Sequence, residues 1–355
     1  MRDNWLSNRI FKSYDDLVDH CCAAWNRLVD QPWRIMIAFA AGGTTSVAKP
    51  PMAVSQGGRN EISQASLVSG LLLGLTLLAS PAFAQRDVQR LNTEGIARAI
   101  GKQGELTGDM YKVSFPRSDL TVNVGNVVIK PALALMAWAA FVKSGNNAFA
   151  YGDLVVLEDE VNPVIGKLEE KGLELSALHN HLLHETPRIM FIHFVGRGDE
   201  VELAKGLREA VALTKSPLGA TASVPETKPE IATEIERIIG YQGTMGGEVF
   251  HITVPRNDIH VASMGTMVPG SMGMNTPFNF QLDGKNAAIN GDFMLRPSEL
   301  NPVIKVLRAN GIEVASIHNH LLDNDPQLVF MHFWAYGDAL GLAKGLRAAL
   351  DRTGS

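Results

Sequence analysis

The chain has 355 residues, of which 46% are hydrophobic and 19% are charged, and its formal net charge is −5 at pH 7. This length accommodates two or three domains, and the acidic balance argues against binding to nucleic acid or to an anionic membrane surface. The two cysteines are the neighbours Cys21 and Cys22. The chain after them can therefore hold neither a disulfide framework nor a cysteine-based metal site.

The first segment carries two distinctive groups of residues. Residues 11–36 read FKSYDDLVDHCCAAWNRLVDQPWRIM, with a Cys-Cys-x-x-Trp-Asn group and a Gln-Pro-Trp-Arg-Ile-Met group. In these groups the segment resembles the C-terminal tail of mariner-like insertion-sequence transposases. The catalytic carboxylates of such enzymes lie upstream of this tail, so the resemblance implies that residues 1–51 are a transposase-tail remnant outside the functional protein. The alternative is an amphipathic helix over residues 14–28 with a local role.

An apolar run follows within residues 52–84. Residues 67–79 (LVSGLLLGLTLLA) are too few to span a bilayer, which takes about 20 residues. A Ser-Pro pair then breaks the run, and Ala82 and Ala84 fit the pattern that signal peptidase cleaves. The pattern predicts a signal peptide that starts at Met52 and is cleaved after Ala84, and hence a periplasmic or secreted protein without a stable membrane anchor. The alternative is a buried core helix.

The rest of the chain contains two copies of one sequence unit, at a constant offset of 139 residues (179 to 318). Three repeated blocks are His-Asn-His-Leu-Leu at 179–183 and 318–322, Phe-x-His-Phe at 191–194 and 330–333, and Ala-Lys-Gly-Leu-Arg at 204–208 and 343–347. We predict two tandem domains, residues 88–215 and 231–355. Small and polar residues at 216–230 are typical of a linker.

The spacing of apolar residues predicts the same elements in both units. In the first unit they are a helix over 88–100, strands over 110–115, 137–142 and 148–157, a helix over 160–171, strands over 173–183 and 188–195, and a helix over 199–213. The fold class that follows is α+β, with two tandem repeats of a mixed sheet and helices packed on one side.

The three repeated blocks, in this order and spacing, resemble the bacterial LppY/LpqO family over residues 88–353. That family is a domain of unknown function found in the cell envelope. The resemblance implies an envelope location and a double domain, and it implies no reaction. Some members of the family are lipoproteins, whereas this chain lacks the lipid-acceptor cysteine.

Six histidines occupy repeat-related positions. They are His179, His181 and His193 in the first unit and His318, His320 and His332 in the second. Residues i and i+2 of a strand share a face, and a hairpin near residue 185 brings His193 to the face of His179. Three imidazoles that converge from paired strands are typical of a site for a divalent transition metal such as zinc or copper. We therefore predict one such site in each unit.

Glu185 lies in the predicted hairpin turn, where its carboxylate would act as an oxygen ligand or as a catalytic general base. Asn324 takes its place in the second unit, so the two predicted sites differ chemically. The order His-x-His-x-x-x-Glu also matches the first motif of cupins, although a second cupin motif is not evident.

Each unit also repeats a Pro-Arg-x-Asp group and a Gly-Asp pair, which give candidate ligand-binding residues. They are Arg117, Asp119 and Asp153 in the first unit and Arg256, Asp258 and Asp292 in the second. The arginine and aspartate of the first group either form an ion pair that braces a strand end or bind an anion. The aspartate of the second group either forms a turn or supports the histidines.

A methionine-rich stretch occurs in the second unit alone. It contains Met264, Met267, Met272 and Met274. Thioethers are soft ligands suited to Cu(I), and flexible methionine-rich loops also bind apolar ligands.

The sequence leaves two functional hypotheses and one structural alternative. The first hypothesis is an exported metal-binding protein, a metal-dependent hydrolase in its most specific form. The second is a non-enzymatic envelope module whose two units pack together around a small molecule or a cell-wall fragment. In the structural alternative, the histidines only hydrogen-bond within the core.

The signal-peptide prediction is tested by N-terminal sequencing of the exported product. Because Ala84 precedes the expected cleavage point, the mature chain should begin at Gln85. A mature protein that begins elsewhere would contradict the assignment.

Overall fold

The structure, a computed structural model, describes residues 90–218 and 226–354. The transposase-like segment and the predicted signal peptide lie outside the described residues, as do residues 219–225 of the expected linker. Within the described ranges, no helix combines the length and the apolar character needed to cross a membrane.

The first unit contains four helices and nine strands among the described residues. In chain order they are α1 (Thr93–Ile100), β1 (Glu105–Thr107), β2 (Met110–Pro116), β3 (Asn123–Val124), β4 (Val127–Val128), α2 (Pro131–Ala134), β5 (Met136–Ser144), β6 (Asn147–Leu157), α3 (Val161–Glu170), β7 (Glu174–His179), β8 (Glu185–Thr186), β9 (Ile189–Gly198) and α4 (Glu200–Val211).

The second unit repeats this order with small differences. Its elements are α5 (Glu230–Ile239), β10 (Gly243–Gly246), β11 (Val249–Pro255), β12 (Val261–Ser263), β13 (Thr266–Val268), β14 (Asn275–Asp283), β15 (Asn286–Leu295), α6 (Pro297–Ala309), β16 (Glu313–His318), β17 (Val329–Asp338) and α7 (Ala339–Leu350).

The main sheets of the two units have the same topology. Their strand orders are β1-β2-β5-β6-β9-β7 and β10-β11-β14-β15-β17-β16. The α+β class and the tandem repeat are thereby confirmed. The expectation of a mixed sheet is refined, because the paired strands of both sheets run antiparallel.

Local sequence signals explain where the helices begin and end. The Asp199 side chain accepts hydrogen bonds from the backbone N–H groups of Val201 and Glu202, so α4 starts where the sequence predicted. Helix α1 starts later than predicted because Asn92 caps it through the N–H of Gly95. It ends at Gly101, which adopts a left-handed conformation with φ 78°.

The strand predicted over 173–183 is too long. Strand β7 ends at His179, and the chain then leaves the sheet. The carbonyl groups of Asn180 and His181 accept hydrogen bonds from Ser316 Oγ (2.7 Å) and Asn290 Nδ2 (2.7 Å), two side chains of the second unit. Contacts between the units therefore satisfy backbone groups that a longer strand would have paired within the sheet.

Each sheet is buried on both faces. One face packs against the helices of its own unit and forms an apolar core there. A third apolar cluster combines residues of the two units, among them Phe149 and Tyr151 from the first and Met272 and Phe330 from the second. The face of each sheet that lies opposite its helices is thus covered by the other unit.

The repeated Gly-Asp pair requires its glycine for close packing. A Cβ atom at Gly152 would lie 2.6 Å from the Phe194 ring and would collide with the Trp138 carbonyl. The same holds for Gly291, where a Cβ atom would lie 2.6 Å from the Phe333 ring. No side chain fits between these strands and the aromatic residue beneath them.

We therefore expect Gly291→Ala to lower the free energy of unfolding by about 2 kcal/mol, because the added methyl group overpacks the sheet. Gly166→Ala is the matched control, since a Cβ atom at this exposed helical position meets nothing within 4 Å. The control should raise stability by about 0.5–1 kcal/mol. Urea denaturation of both variants measures the difference, and equal effects would contradict the packing account.

Candidate metal centre

The histidines lie on the sheet face that meets the other unit. In the first unit His193 on β9 pairs with Asp153 on β6 and with Ala177 on β7. His179 pairs with Phe191, two residues further along and therefore on the same face. Paired residues share a face, so the strand register places His179 and His193 together, as the sequence predicted.

The six rings form a single cluster, whereas the sequence predicted a separate group of three histidines in each unit. The His179 and His318 rings stack with centroids 3.9 Å apart and planes inclined by 8°. The centroids of His181 and His332 are 3.7 Å apart. The physical reason is that the two sheets pack with their histidine-bearing faces toward each other, which the sequence of one unit does not reveal.

Three groups of side chains within this cluster bring their ligand atoms to within 4.8 Å of one another. The groups are His179, His181 and His332; His179, His193 and His318; and Asp292, His318 and His320. Two of the three draw histidines from both units. The cluster is therefore a property of the pair of units.

Asp153 and Asp292 belong to this cluster. Each lies within a long strand, so the turn-former alternative for these residues is wrong. Asp153 Oδ2 lies 3.2 Å from His181 Nε2, and Asp292 Oδ2 lies 3.0 Å from His320 Nε2. Burial raises the pKa of Asp292 to about 6. Burial, with the nearby charge of Asp292, raises the pKa of Asp153 well above its usual range.

Backbone carbonyls orient His193 and His332. The Nδ1 atom of His193 lies 3.1 Å from the Gly152 oxygen, and Nδ1 of His332 lies 2.8 Å from the Gly291 oxygen. A carbonyl oxygen accepts a hydrogen bond, so each ring carries its proton on Nδ1 and presents a lone pair at Nε2. Both Nε2 atoms are buried and have no hydrogen-bond partner among the described residues.

His320 shows the same arrangement beside a carboxylate. Its Nδ1 lies 3.1 Å from the Gly273 oxygen, which fixes the proton there. A neutral His320 then turns the lone pair of Nε2 toward Asp292 Oδ2. Two acceptors in contact need a proton or a cation between them.

The environment keeps the imidazoles neutral. Burial, the dominant cause, lowers the pKa of all six histidines, and it lowers that of His320 to about 3. Mutual repulsion within the cluster lowers the pKa of His179 and His318 further. Neutral imidazole is the form that binds metal ions.

A cavity of about 1440 Å³ between the units reaches the cluster. Its lining includes His181, His193, His320 and His332 together with Asp153 and Asp292. Away from the histidines the wall includes Trp138 and Lys112, whose Nζ lies 4.5 Å from the centre of the Trp138 ring. A small molecule in the cavity would therefore contact the cluster directly.

Glu185 lies apart from the three histidine groups. It belongs to β8, which pairs with β3. Its carboxylate is buried, and Oε1 lies 3.6 Å from Arg188 Nε. Neither the three groups nor the lining of the large cavity includes it. Its catalytic role stays a prediction.

The Pro-Arg-x-Asp groups form buried ion-pair networks. The Arg117 guanidinium contacts Asp119 at 3.0 Å, Glu160 at 2.7 Å and the Val155 carbonyl at 2.9 Å. Arg256 repeats these contacts with Asp258 and Glu299 in the second unit. Arg256 also lines a separate cavity of about 1460 Å³. Anion binding by the arginine and aspartate of these groups stays a prediction.

The methionine-rich stretch divides between core and surface. Met272 and Met274 are buried in the apolar cluster between the units, whereas Met267 is exposed. The two buried thioethers pack against apolar neighbours there.

Sequence reasoning missed Tyr151 and Asn290, which occupy equivalent positions in the two units. The Tyr151 hydroxyl lies 3.0 Å from His193 Nδ1, and the Asn290 amide donates to the carbonyls of His181 and Phe333. Burial is the main cause that raises the pKa of Tyr151 well above its usual range. The sequence contained a signal for Tyr151, because this residue precedes Asp153 by two positions and therefore lies on the same face of the strand.

The buried neutral histidines predict acid sensitivity of the metal-free protein. Each histidine regains its ordinary pKa of about 6.5 on unfolding, so the unfolded chain binds more protons below that pH. Stability should fall as the pH drops from 7.5 to 5.5, by up to about 1.4 kcal/mol per pH unit for each histidine. Asp153 and Asp292 act in the opposite direction, because their raised pKa values let the folded protein take up protons as the pH falls. Two such carboxyl groups can offset the proton uptake of at most two of the six histidines.

Urea denaturation of chelator-treated protein at several pH values measures this slope. His193→Gln should reduce the slope, whereas His184→Gln, which removes an exposed histidine outside the cluster, should leave it unchanged. Stability that does not vary between pH 7.5 and 5.5 would show that the rings are not buried in the neutral form.

A short stretch of the chain matches one relative closely. One relative, the "Uncharacterized protein y4pE/y4sA" of Sinorhizobium fredii (strain NBRC 101917 / NGR234), is 86% identical over 36 residues, which make up 10% of this chain. The chain spans 27% of that relative's length. The resemblances to transposase tails and to the LppY/LpqO family stay predictions.

Two solved structures align at low similarity. A trimeric bacterial microcompartment shell protein, PduB, is 12% identical over 70% of this chain and 89% of its own, with a TM-score of 0.18. TP0453 is 10% identical over 73% of this chain and 98% of its own, with a TM-score of 0.15. Such scores carry no argument about fold or function.

The family match covers both units. Residues 94–213 and residues 233–352 each match the family described as Domain of Unknown Function (DUF1259). The chain therefore belongs to this family and contains two tandem copies of its domain.

Proposed function

We propose that this protein binds a transition-metal ion in the histidine cluster between its two units, with zinc or copper as the candidate cofactor. The observation that carries the proposal is the pair of buried lone pairs at His193 Nε2 and His332 Nε2. Backbone carbonyls hold both rings in position, and neither nitrogen has a hydrogen-bond partner among the described residues. A buried acceptor without a partner costs free energy, and coordination to a metal ion removes that cost.

The donor set suits this class of ion. Imidazole nitrogens bind zinc, copper, nickel and iron, whereas magnesium and calcium prefer oxygen ligands. The aspartates beside His181 and His320 are typical partners that orient metal-binding histidines. We favour zinc or copper because nitrogen ligands outnumber carboxylates in the cluster.

The most specific form of the proposal is a metal-dependent hydrolase. A bound divalent ion would supply an acidified water at neutral pH. Asp292 lines the cavity and lies 3.0 Å from His320 Nε2, which places a carboxylate beside a bound ion and its water. Asp292 therefore joins Glu185 as a candidate general base, and the cavity gives a substrate access to it.

A second candidate is a binding module that performs no reaction. The cavity supports it, because the wall beyond the histidines combines the Trp138 ring with the Lys112 ammonium group. Such a surface suits a ring-bearing small molecule or a fragment of the cell wall. Export after cleavage behind Ala84 is part of both candidates and stays a proposal.

Metal analysis of protein purified without a polyhistidine tag tests the proposal. We expect bound zinc or copper. We also expect zinc added to chelator-treated protein to stabilise it, by about 4 kcal/mol at a thousandfold excess over Kd. His193→Ala combined with His332→Ala should weaken binding at least about 10-fold, because both oriented nitrogens are lost.

His251→Ala is the matched control, since this histidine lines the same cavity but bonds to Asn279 and the Gly246 carbonyl. The control should bind metal as the unmodified protein does. Protein that stays metal-free and gains no stability from zinc or copper would sink the proposal. Metal binding without turnover of ester, amide or phosphoester substrates would favour the binding module.

A further inference from the structure

We propose that the cluster holds two metal ions, and that each ion is bound by the His-x-His pair of one unit and the distal histidine of the other. The first set is His179, His181 and His332 with Asp153, and the second is His318, His320 and His193 with Asp292. This inference rests on the proposed function and assigns the ligands of that site.

The grouping of ligand atoms supports two sites. The group of His179, His181 and His332 shares no member with the group of Asp292, His318 and His320. These two groups can therefore each bind an ion at the same time. The repeat adds His193 to the second group, and its ligand atom lies within 4.8 Å of that of His318, in a group that also contains His179.

The two sets are related by the repeat. His332 lies 5.4 Å from His179 between ring centroids, and His193 lies 5.4 Å from His318. The distance from His332 to His181 is 3.7 Å, and its counterpart from His193 to His320 is 4.3 Å. The aspartate contacts also correspond, at 3.2 Å for Asp153 and 3.0 Å for Asp292. Equivalent residues thus have equivalent neighbours across the interface.

The number of unpaired atoms also exceeds what one ion can satisfy. Among the described residues, the buried atoms of the cluster without a hydrogen-bond partner are Nδ1 of His179, Nε2 of His193, both ring nitrogens of His318, Nε2 of His332, Oδ1 of Asp153 and Oδ1 of Asp292. Structural zinc takes about four ligands. Seven unpaired atoms spread over both halves fit two ions better than one.

Two double variants that each remove two histidines distinguish crossed from uncrossed sets. His181→Ala with His332→Ala removes two ligands of one set and leaves the other intact. His181→Ala with His193→Ala removes two histidines of the same unit and takes one ligand from each set. The probe is zinc(II) or cobalt(II) added to chelator-treated protein, with circular dichroism as the control for folding.

We expect two ions per chain in the unmodified protein. The His181/His332 variant should keep one ion at unchanged affinity, whereas both ions of the His181/His193 variant should bind at least about 10-fold more weakly. One ion per chain in the unmodified protein, or equal losses in the two variants, would overturn the two-ion inference and leave the proposed function standing. The reverse pattern would show that each set belongs to a single unit. Protein that binds no metal would overturn both proposals.

Discussion

The structure depends on the burial of polar groups between two sheets. Six imidazoles and two carboxylates occupy a face that would otherwise form an apolar core, and an unpaired buried acceptor costs about 1–3 kcal/mol. Part of that cost is offset within the protein, because the carbonyls of Gly152, Gly291 and Gly273 each receive a ring N–H. The remaining lone pairs are the reason to assign a ligand to the cluster. Side chains that served only the core would have found partners there.

Much of the fold followed from the sequence. The constant offset fixed the tandem repeat, and the cap at Asp199 and the stop at Gly101 follow from local rules. The location of His179 and His193 on one face of the sheet was predicted from the two-residue period of strands and from the hairpin turn between them. These features depend on residues close in the chain, where one physical rule decides the outcome.

The assembly of the site did not follow, because it depends on contacts between the two units. The spacing of His179 and His181 carries no information about His332, which approaches from a sheet about 150 residues later in the chain. The placement of His181 also differed from expectation. Its backbone leaves the strand to bond with Asn290, and only the packed pair of units provides that partner.

The two units have diverged around a shared set of histidines and aspartates. Tyr151 contacts His193, whereas its counterpart Asn290 bonds to backbone carbonyls. Trp138 stacks edge-on against Tyr151 at 5.4 Å, and the second unit has Pro277 in its place. The histidines and aspartates are the same in both copies. The surroundings of the two halves therefore differ while the donor atoms are duplicated.

Anomalous diffraction from crystals of the untagged protein, recorded at the zinc and copper absorption edges, would locate a bound ion in the histidine cluster. Metal binding there predicts anomalous density in the interface between the units, at about 2.0–2.1 Å from His193 Nε2 and from His332 Nε2. Crystals that show no anomalous density there, with both nitrogens hydrogen-bonded to water or to protein groups, would contradict it.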